Sequence, residues 1–389
     1  MTATQQQGST PESPGRVGVF RWAWLPQSET FIRRQCDDLR RFAAVPIGAV
    51  RVASTLVRPT DRVLYEEGVS RKLLAPLARR TGISARFRKA VADERLDLVH
   101  IHFGTDAIAL RRALRRSRVP VVVTLHGYDA TREPEQPGRA GRLYRRRLRR
   151  LFDRATAVLA VSELIASKAR ALGAPDSKLQ VHYIGIPVTG AVTSANDQDI
   201  DILFIGRLVE KKGVDDLIRA LALMVATPAS AAVPVSTVVV GEGPLTEELQ
   251  AAATAAGVDV TFQGKRTAEE VHALLLRAKV VVVPSKTAAD GDMEGLPTVL
   301  MEAMALGVPV VATRHSGITE VVEHEVNGLL SEESDPPALA ENLNRALSDP
   351  ELRARLGTAG REHIREHFNM TTQTAALEDI YAEVIGAAR

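Results

Sequence analysis

EGLPTVLMEAMALGVPVVAT, residues 294–313, decides how the rest of this chain is read. Gly295 and Pro297 mark the start of a helix, Gly307 marks its end, and Pro309 stands just beyond. The apolar run from Val308 to Ala312 then has the character of a buried strand. Glu294 lies in the loop that feeds the helix, and Glu302 follows about two turns along it. A carboxylate just ahead of a helix N-terminus is placed to meet a ligand whose anionic part rests on that terminus. Carboxylates accept hydrogen bonds from hydroxyls, so a sugar or a ribose is a natural partner. The competing reading is a solvated helix with two ordinary glutamates.

A second constellation lies upstream. Ile200 to Ile205 has the pattern of a strand, and GRLVEKKG, residues 206–213, follows it. A strand, a glycine turn at Gly206 and two cations, Arg207 and Lys212, at the strand's carboxyl end suit a diphosphate. Arginine offers a bidentate fork to phosphate oxygens and lysine a mobile point charge. The alternative is a surface turn with solvated cations.

Apolar runs alternate with helical patterns along the whole chain. Strands are expected at 16–20, 44–50, 97–101, 120–125, 157–161 and 179–184, with helices at 29–42, 71–92, 106–116, 142–152 and 163–172 between them. A second series follows: strands at 200–205, 235–240, 258–262, 280–283 and 308–312, and helices at 214–226, 244–256, 268–277, 298–306 and 318–323. The remainder after Asp335 is helical, with a break near Pro350. Such alternation argues for right-handed parallel units, and hence an α/β chain of two doubly wound, Rossmann-like domains facing a cleft. The expected division is a disordered tail at 1–15, a first domain at 16–186, a linker at 187–199, a second domain at 200–367 and a final helical segment at 368–389.

The two motifs together resemble family 4 of the retaining glycosyltransferases. HGYD at 126–129, AVSELIASKARALG at 160–173 and SGITEVVEHEVNGLL at 316–330 agree with this. SETFIRRQ, at 28–35, is similar to the amino-terminal signature of members that build exopolysaccharides such as colanic acid. The resemblance spans nearly the whole chain and implies the GT-B fold, with the last helix crossing back onto the first domain. It also implies a nucleotide-sugar donor, UDP-linked by preference and GDP-linked as the alternative, held by the second domain.

On that resemblance the catalytic candidates are Arg207, Lys212, Glu294 and His126. Arg207 and Lys212 would clamp the diphosphate as it gains charge. Glu294 would meet hydroxyls of the transferred sugar, and Glu302 those of the ribose. Leu296, Pro297, Thr298 and Val299 would open a helix toward the phosphates, with plain packing as the alternative for Leu296 and Val299. Gly206, Gly241 and Gly243 would shape the nucleotide pocket. His126 would touch the donor sugar from the first domain. Acceptor-side candidates are Ser28, Glu29, His102 and Asp129. Each has a plainer reading. Ser28 suits a helix N-cap, Glu29 a helix dipole, His102 a packed strand end, and Asp129 bonds to the backbone of its own loop. The loop at 24–29 departs from the glycine-rich pattern usual in the family. No protein nucleophile is left over, so front-face attack with retention is implied. Asp290 and Asp292 are too few for a calcium loop, and neither a metal nor another cofactor is expected.

Composition sets the outer limits. A chain of 389 residues, 45% hydrophobic and 25% charged, suits two ordinary globular domains. Cys36 is the single cysteine, so neither an internal disulfide nor a cysteine zinc cage is available, and core packing is its expected role. No run approaches the roughly 18 apolar residues of a membrane span. The start, MTATQQQGSTPESPG, lacks the basic and apolar regions of a signal peptide.

Charge is divided unevenly. Residues 1–190 hold 34 Lys+Arg against 17 Asp+Glu, and residues 191–389 hold 16 against 30. The first half therefore invites an anionic partner. Between Arg139 and Arg154, eight arginines interleave with Leu143, Leu148, Leu151 and Phe152. This segment suits either a packed helix with a solvated basic face or a peripheral contact with anionic membrane. Nucleic acid is disfavoured by 4% aromatics and by the absence of a reading motif. The function expected is glycosyl transfer to a glycan or lipid-linked acceptor in cell-surface polysaccharide or glycolipid assembly, in the cytoplasm, with a peripheral position on the inner membrane face as the alternative. A soluble acceptor and a catalytically silent sugar-binding protein are the rival readings.

Overall fold

The computed structural model describes residues 14–188, 190, 198–226 and 235–388. Residues 1–13 of the expected tail, and most of the expected linker, lie outside the described residues.

Two parallel sheets organise the chain. The first contains β1 (Gly15–Trp24), β2 (Phe42–Arg51), β3 (Arg62–Val63), β4 (Leu98–His102), β5 (Val121–Leu125), β6 (Ala157–Ala160) and β7 (Leu179–Val181), in the order β3-β2-β1-β4-β5-β6-β7. The second contains β8 (Ile200–Ile205), β9 (Thr237–Val240), β10 (Val260–Phe262), β11 (Ala278–Val283), β12 (Val310–Thr313) and β13 (Leu329–Ser331), in the order β10-β9-β8-β11-β12-β13. Every residue of β4, β5 and β9 is buried, as a strand covered by helices on both faces requires. In each sheet the strand order reverses direction at one place, between β1 and β4 and between β8 and β11. Ligands of open α/β sheets bind beyond the strand carboxyl ends at that point. The loops after β1, β8 and β11 are therefore the ones placed to matter.

The last helix, Met370–Gly386, packs beside the first sheet. Leu377, Tyr381 and Val384 share a buried cluster with Val17, Trp24, Ile32 and Leu98. Buried Glu378 accepts the backbone N–H groups of Arg40 at 2.7 Å and Arg41 at 2.6 Å. Cys36 belongs to the same cluster, and burial pushes its thiol up to about 12.

Local departures from the expected elements have simple causes. The helix expected over 71–92 is broken. Gly82 takes a left-handed conformation, φ +76°, and Ser84 then caps a new helix by accepting the N–H of Phe87 at 3.1 Å. The helix expected over 106–116 is divided at Leu110 into Gly104–Ala109 and Arg111–Arg115. Ser28 caps nothing: the helix Thr30–Asp38 has Glu29 at its N-cap position and no side-chain cap bond. Two short edge strands, β3 and β13, carry too few residues to show a periodic signal.

Candidate functional site

The GRLVEKKG loop leaves β8 at the point where the sheet order reverses. A Cβ added at Gly241 would lie 1.9 Å from the Gly206 carbonyl oxygen, and φ there is +131°. Glycine at 241 thus lets the β9 loop support the β8 loop from behind. Gly243 likewise abuts the Leu208 carbonyl. Neither glycine lines the cleft, so both act on pocket shape only through the loop they support.

Lys212 and Lys211 converge on Glu294. Lys212 Nζ lies 3.2 Å and Lys211 Nζ 3.7 Å from Glu294 Oε1, and Lys211 also reaches Asp292 at 3.0 Å. Burial alone would raise the Glu294 carboxyl. The two ammonium groups outweigh it and hold the group at about 2. Yet Oε1 is buried without an aligned hydrogen bond, so it keeps capacity to accept one from a ligand.

The backbone around Glu294 is fixed by its neighbours. Its N–H donates to His315 Nε2 at 3.1 Å, while His315 Nδ1 faces Glu333 at 2.5 Å. That pairing assigns the His315 proton to Nδ1. Ser316 donates to the Glu294 carbonyl at 2.6 Å.

The helix Thr298–Ala305 begins at Pro297 with no side-chain cap, which leaves its first N–H groups available to an anion. Leu296, Pro297, Thr298 and Val299 all line the cleft here. Glu302, one face along, meets Arg34 Nη1 at 2.5 Å across the cleft. Arg207 is exposed on the cleft wall and forms no ion pair among the described residues.

The first domain supplies the opposite wall. His126 is wedged between Phe103, with ring centroids 4.3 Å apart, and Phe31 of the SETFI segment, at 5.1 Å. Burial, then the charge of Arg21, keeps its imidazole well below the usual histidine range. The two walls touch at backbone level. A Cβ at Gly295 would lie 1.9 Å from the His126 carbonyl oxygen. Glu29 faces the cleft but is bound to Arg21 at 2.7 Å, and the Arg21 guanidinium sits 4.0 Å from the Phe103 ring centroid. Burial raises the Glu29 carboxyl despite Arg21. Ser28 is exposed at the rim.

Two acceptor-side candidates stand elsewhere. Asp129 is fully buried and accepts the N–H groups of Gly104, His126 and Gly127 at 2.8, 3.0 and 2.9 Å. It shapes the HGYD loop and does not line the cleft. His102 is buried behind His126, with 3.0 Å between His102 Nδ1 and His126 Nε2. Asp290 and Asp292, which invited a cation reading, pair with Arg132 at 2.6 Å and Lys211 at 3.0 Å.

Comparison with known proteins identifies the family and the fold. A family described as "Glycosyl transferases group 1" matches residues 190–363, and "Glycosyltransferase Family 4" matches residues 47–189. The amylovoran biosynthesis glycosyltransferase AmsK of Erwinia amylovora is 33% identical over 80% of this chain and 74% of its own length. The chain belongs to glycosyltransferase family 4. A putative colanic acid biosynthesis glycosyltransferase, WcaL of Escherichia coli K12, is 32% identical over 82% of this chain and 78% of its own. The crystal structure of Anabaena Alr3699/HepE in complex with UDP superposes with a TM-score of 0.75, at 22% identity over 95% of this chain and all of that one. The fold of this family-4 glycosyltransferase is GT-B. No helix among the described residues is long and apolar enough to cross a membrane.

Several cleft residues of the transferase escape sequence reading. Lys211 is as close to the carboxylates as Lys212, but a Lys-Lys pair does not say which side chain turns inward. Val271, His272 and Leu275 of the Ala268–Arg277 helix, with Arg266, line one end of the cleft, yet they look like any amphipathic helix in sequence. His315 and Arg34 show their roles only through partners distant in the chain.

The histidines behind the transferase's cleft give an expected pH dependence of stability. His100, His102, His126 and His182 are all held below the usual range, chiefly by burial, and His100 falls to about 3. The unfolded chain, with histidine near 6.5, takes up protons first as pH falls. Stability is therefore complete above about pH 6.5 and declines toward pH 3, on the order of 2 kcal/mol at pH 5 from His100 alone. Glu294, held at about 2 rather than 4.5, adds a loss only as pH falls below 4.5. Thermal unfolding from pH 8 to 4 should show Tm falling from near pH 6.5 onward, and less steeply in His100→Asn. A profile flat to pH 4.5 would contradict this.

Proposed function

We propose that this family-4 enzyme moves a sugar, with retention, from a nucleoside-diphosphate sugar to a hydroxyl of a glycan or lipid-linked acceptor in cell-surface polysaccharide or glycolipid assembly. The observation that carries the reading is Glu294: ionised, buried, beside two lysines, part of the cleft lining with His126, and with one carboxylate oxygen lacking an aligned hydrogen bond. Such a carboxylate suits hydroxyls of a sugar whose diphosphate lies on Arg207, Lys212 and the open helix start at Thr298. As the anomeric C–O bond to phosphate breaks, the acceptor oxygen bonds the same carbon from the same face. The acceptor's proton passes to the departing phosphate oxygen. Arg207 and Lys212 offset the charge that develops there. Glu302 takes the ribose hydroxyls once Arg34 releases its carboxylate.

UDP is the favoured nucleotide, since the similar HepE structure is a complex with UDP. AmsK and WcaL, named for amylovoran and colanic acid biosynthesis, support a surface-polysaccharide role. The Arg139–Arg154 helix contributes a basic face for a peripheral membrane contact on the cytoplasmic side. Its Leu148, Leu151 and Phe152 are used in the core, while Arg142, Arg146 and Arg150 are exposed. That helix therefore brings charge but little free apolar surface.

The test is a panel of UDP- and GDP-sugars in a thermal-shift assay. One donor should raise Tm by a few degrees, because a ligand that binds only the native state stabilises it. That donor should then be consumed with transfer or slow hydrolysis. A Tm unmoved by every nucleotide sugar would remove the proposal.

A further inference from the structure

Among the described residues, five of the nine exposed large apolar side chains fall between positions 69 and 83. Val69 is 69% exposed, Leu73 65% and Leu77 55%. Their four-residue spacing places them along one helical face. The helical stretch runs from Ser70 to Thr81, first as a wider π-type turn to Leu74 and then as an α-helix. A helix on a globular surface normally turns its large apolar residues inward. Here the inward residues are Ala75 and Ala78, and the leucines face out. Single exposed apolar residues need no explanation, but a contiguous stripe does.

The charge around the stripe is of one sign. From Gly68 to Ala92 the sequence has seven Lys or Arg and no Asp or Glu; Glu66 and Glu67 lie just before it. Arg71, Lys72, Arg79 and Arg80 are all exposed. Arg111 donates to the Arg80 carbonyl at 2.7 Å, which joins this segment to the basic Arg111–Arg115 helix. Arg111 in turn feels the charge of Arg147 on the Arg139–Arg154 helix. One basic surface thus runs across three helical segments, with most of its exposed apolar side chains at residues 69–83 and Leu143 the one on the Arg139–Arg154 helix. The stretch begins shortly after the carboxyl end of β3, on the sheet edge that also presents Glu29 and His126.

We propose that residues 69–83 form a bilayer-docking element: Val69, Leu73 and Leu77 enter the headgroup–acyl boundary of an anionic membrane while the surrounding Lys and Arg bind its headgroups. An interfacial helix needs both parts, an apolar face and a basic flank. A second copy of this chain is disfavoured, because a twofold contact would set the same cations against each other. Nucleic acid has no use for a leucine stripe. The docked orientation places the acceptor side of the cleft beside the lipid surface. The proposal rests on the reading above for its acceptor, which is then lipid-linked.

Full-length protein is tested by co-sedimentation with vesicles of phosphatidylglycerol and phosphatidylcholine, and with phosphatidylcholine alone. The wild type should bind the anionic vesicles, and part of that binding should survive 1 M salt, where charge alone is screened. Leu73→Ser/Leu77→Ser should weaken it roughly ten- to hundredfold. The stabilising nucleotide sugar should still raise this variant's Tm, which shows a folded donor site. Wild-type protein that ignores anionic vesicles, or binds neutral ones equally, overturns the proposal, as does a variant that binds like wild type. So does a concentration-dependent dimer that the same substitutions dissociate. If no nucleotide sugar binds but vesicle binding follows the leucines, the transferase reading falls and this one stands; circular dichroism then shows that the variant is folded.

Discussion

Lys212→Ala is expected to lower kcat by about a hundred- to a thousandfold, the usual effect of removing one group aimed at developing charge. The side chain lies 3.2 Å from Glu294 and on the cleft wall, where a leaving diphosphate would gather charge. Its loss has a second effect. Glu294 is buried and keeps only Lys211, which is farther away at 3.7 Å and shared with Asp292. An uncompensated buried carboxylate is costly, up to about 3–5 kcal/mol when a buried pair is broken. A double-mutant cycle with Glu294→Gln separates the effects. The double variant should recover much of the lost Tm and none of the lost kcat. Lys212→Arg should retain partial activity, since the charge remains and its geometry changes. Steady-state rates for Lys212→Ala within about threefold of wild type would exclude the diphosphate role.

Gly295→Ala should lower kcat by a similar factor, about a hundredfold, for a different reason. The added methyl would lie 1.9 Å from the His126 carbonyl oxygen and 2.9 Å from Val161 Cγ2. No real Cβ tolerates the first distance. Gly295 has no positive φ, so alanine is not strained within its own loop. The conflict lies between the EGLP loop of one domain and the HGYD loop and Val161 of the other. Each domain can therefore fold, and the two walls separate. A displacement of about 1 Å between reacting groups is enough for a hundredfold loss. Tm should change far less than it does in Lys212→Ala. Wild-type turnover with bound donor would show that the contact between these loops is dispensable.

The sequence told most where one residue carries its own physical reason. The β8 and β11 strands are largely apolar runs, and the Ala268–Arg277 helix keeps its expected limits because the Thr267–Glu270 capping box and the periodicity agree there. In EGLPTVLMEAM the glycine, the proline and the two acids each restrict the backbone or the chemistry. What was hidden depends on pairs. Arg34 and Glu302 are separated by 268 positions, and Gln35 and Tyr381 by 346. Nothing local marks either pair. Gly82 lies inside the helix expected over 71–92, and only its left-handed turn against Arg111 shows why the helix stops. Asp129 and His102 carry the right chemistry at strand ends, but the loop folds inward and consumes both.

Tyr381 lies inside the first sheet's packing, its hydroxyl 2.6 Å from His100, although 281 positions separate the two. During synthesis the amino-terminal half would leave the ribosome with an open trough where Leu377, Tyr381 and Val384 belong. Domains usually fold as they emerge, and this one cannot complete its interior until the whole second domain has been made and residues 377–384 have followed it. A nascent polypeptide of this shape would need shelter from aggregation while the second domain is made, and a ribosome stalled before Met370 would strand it unfinished.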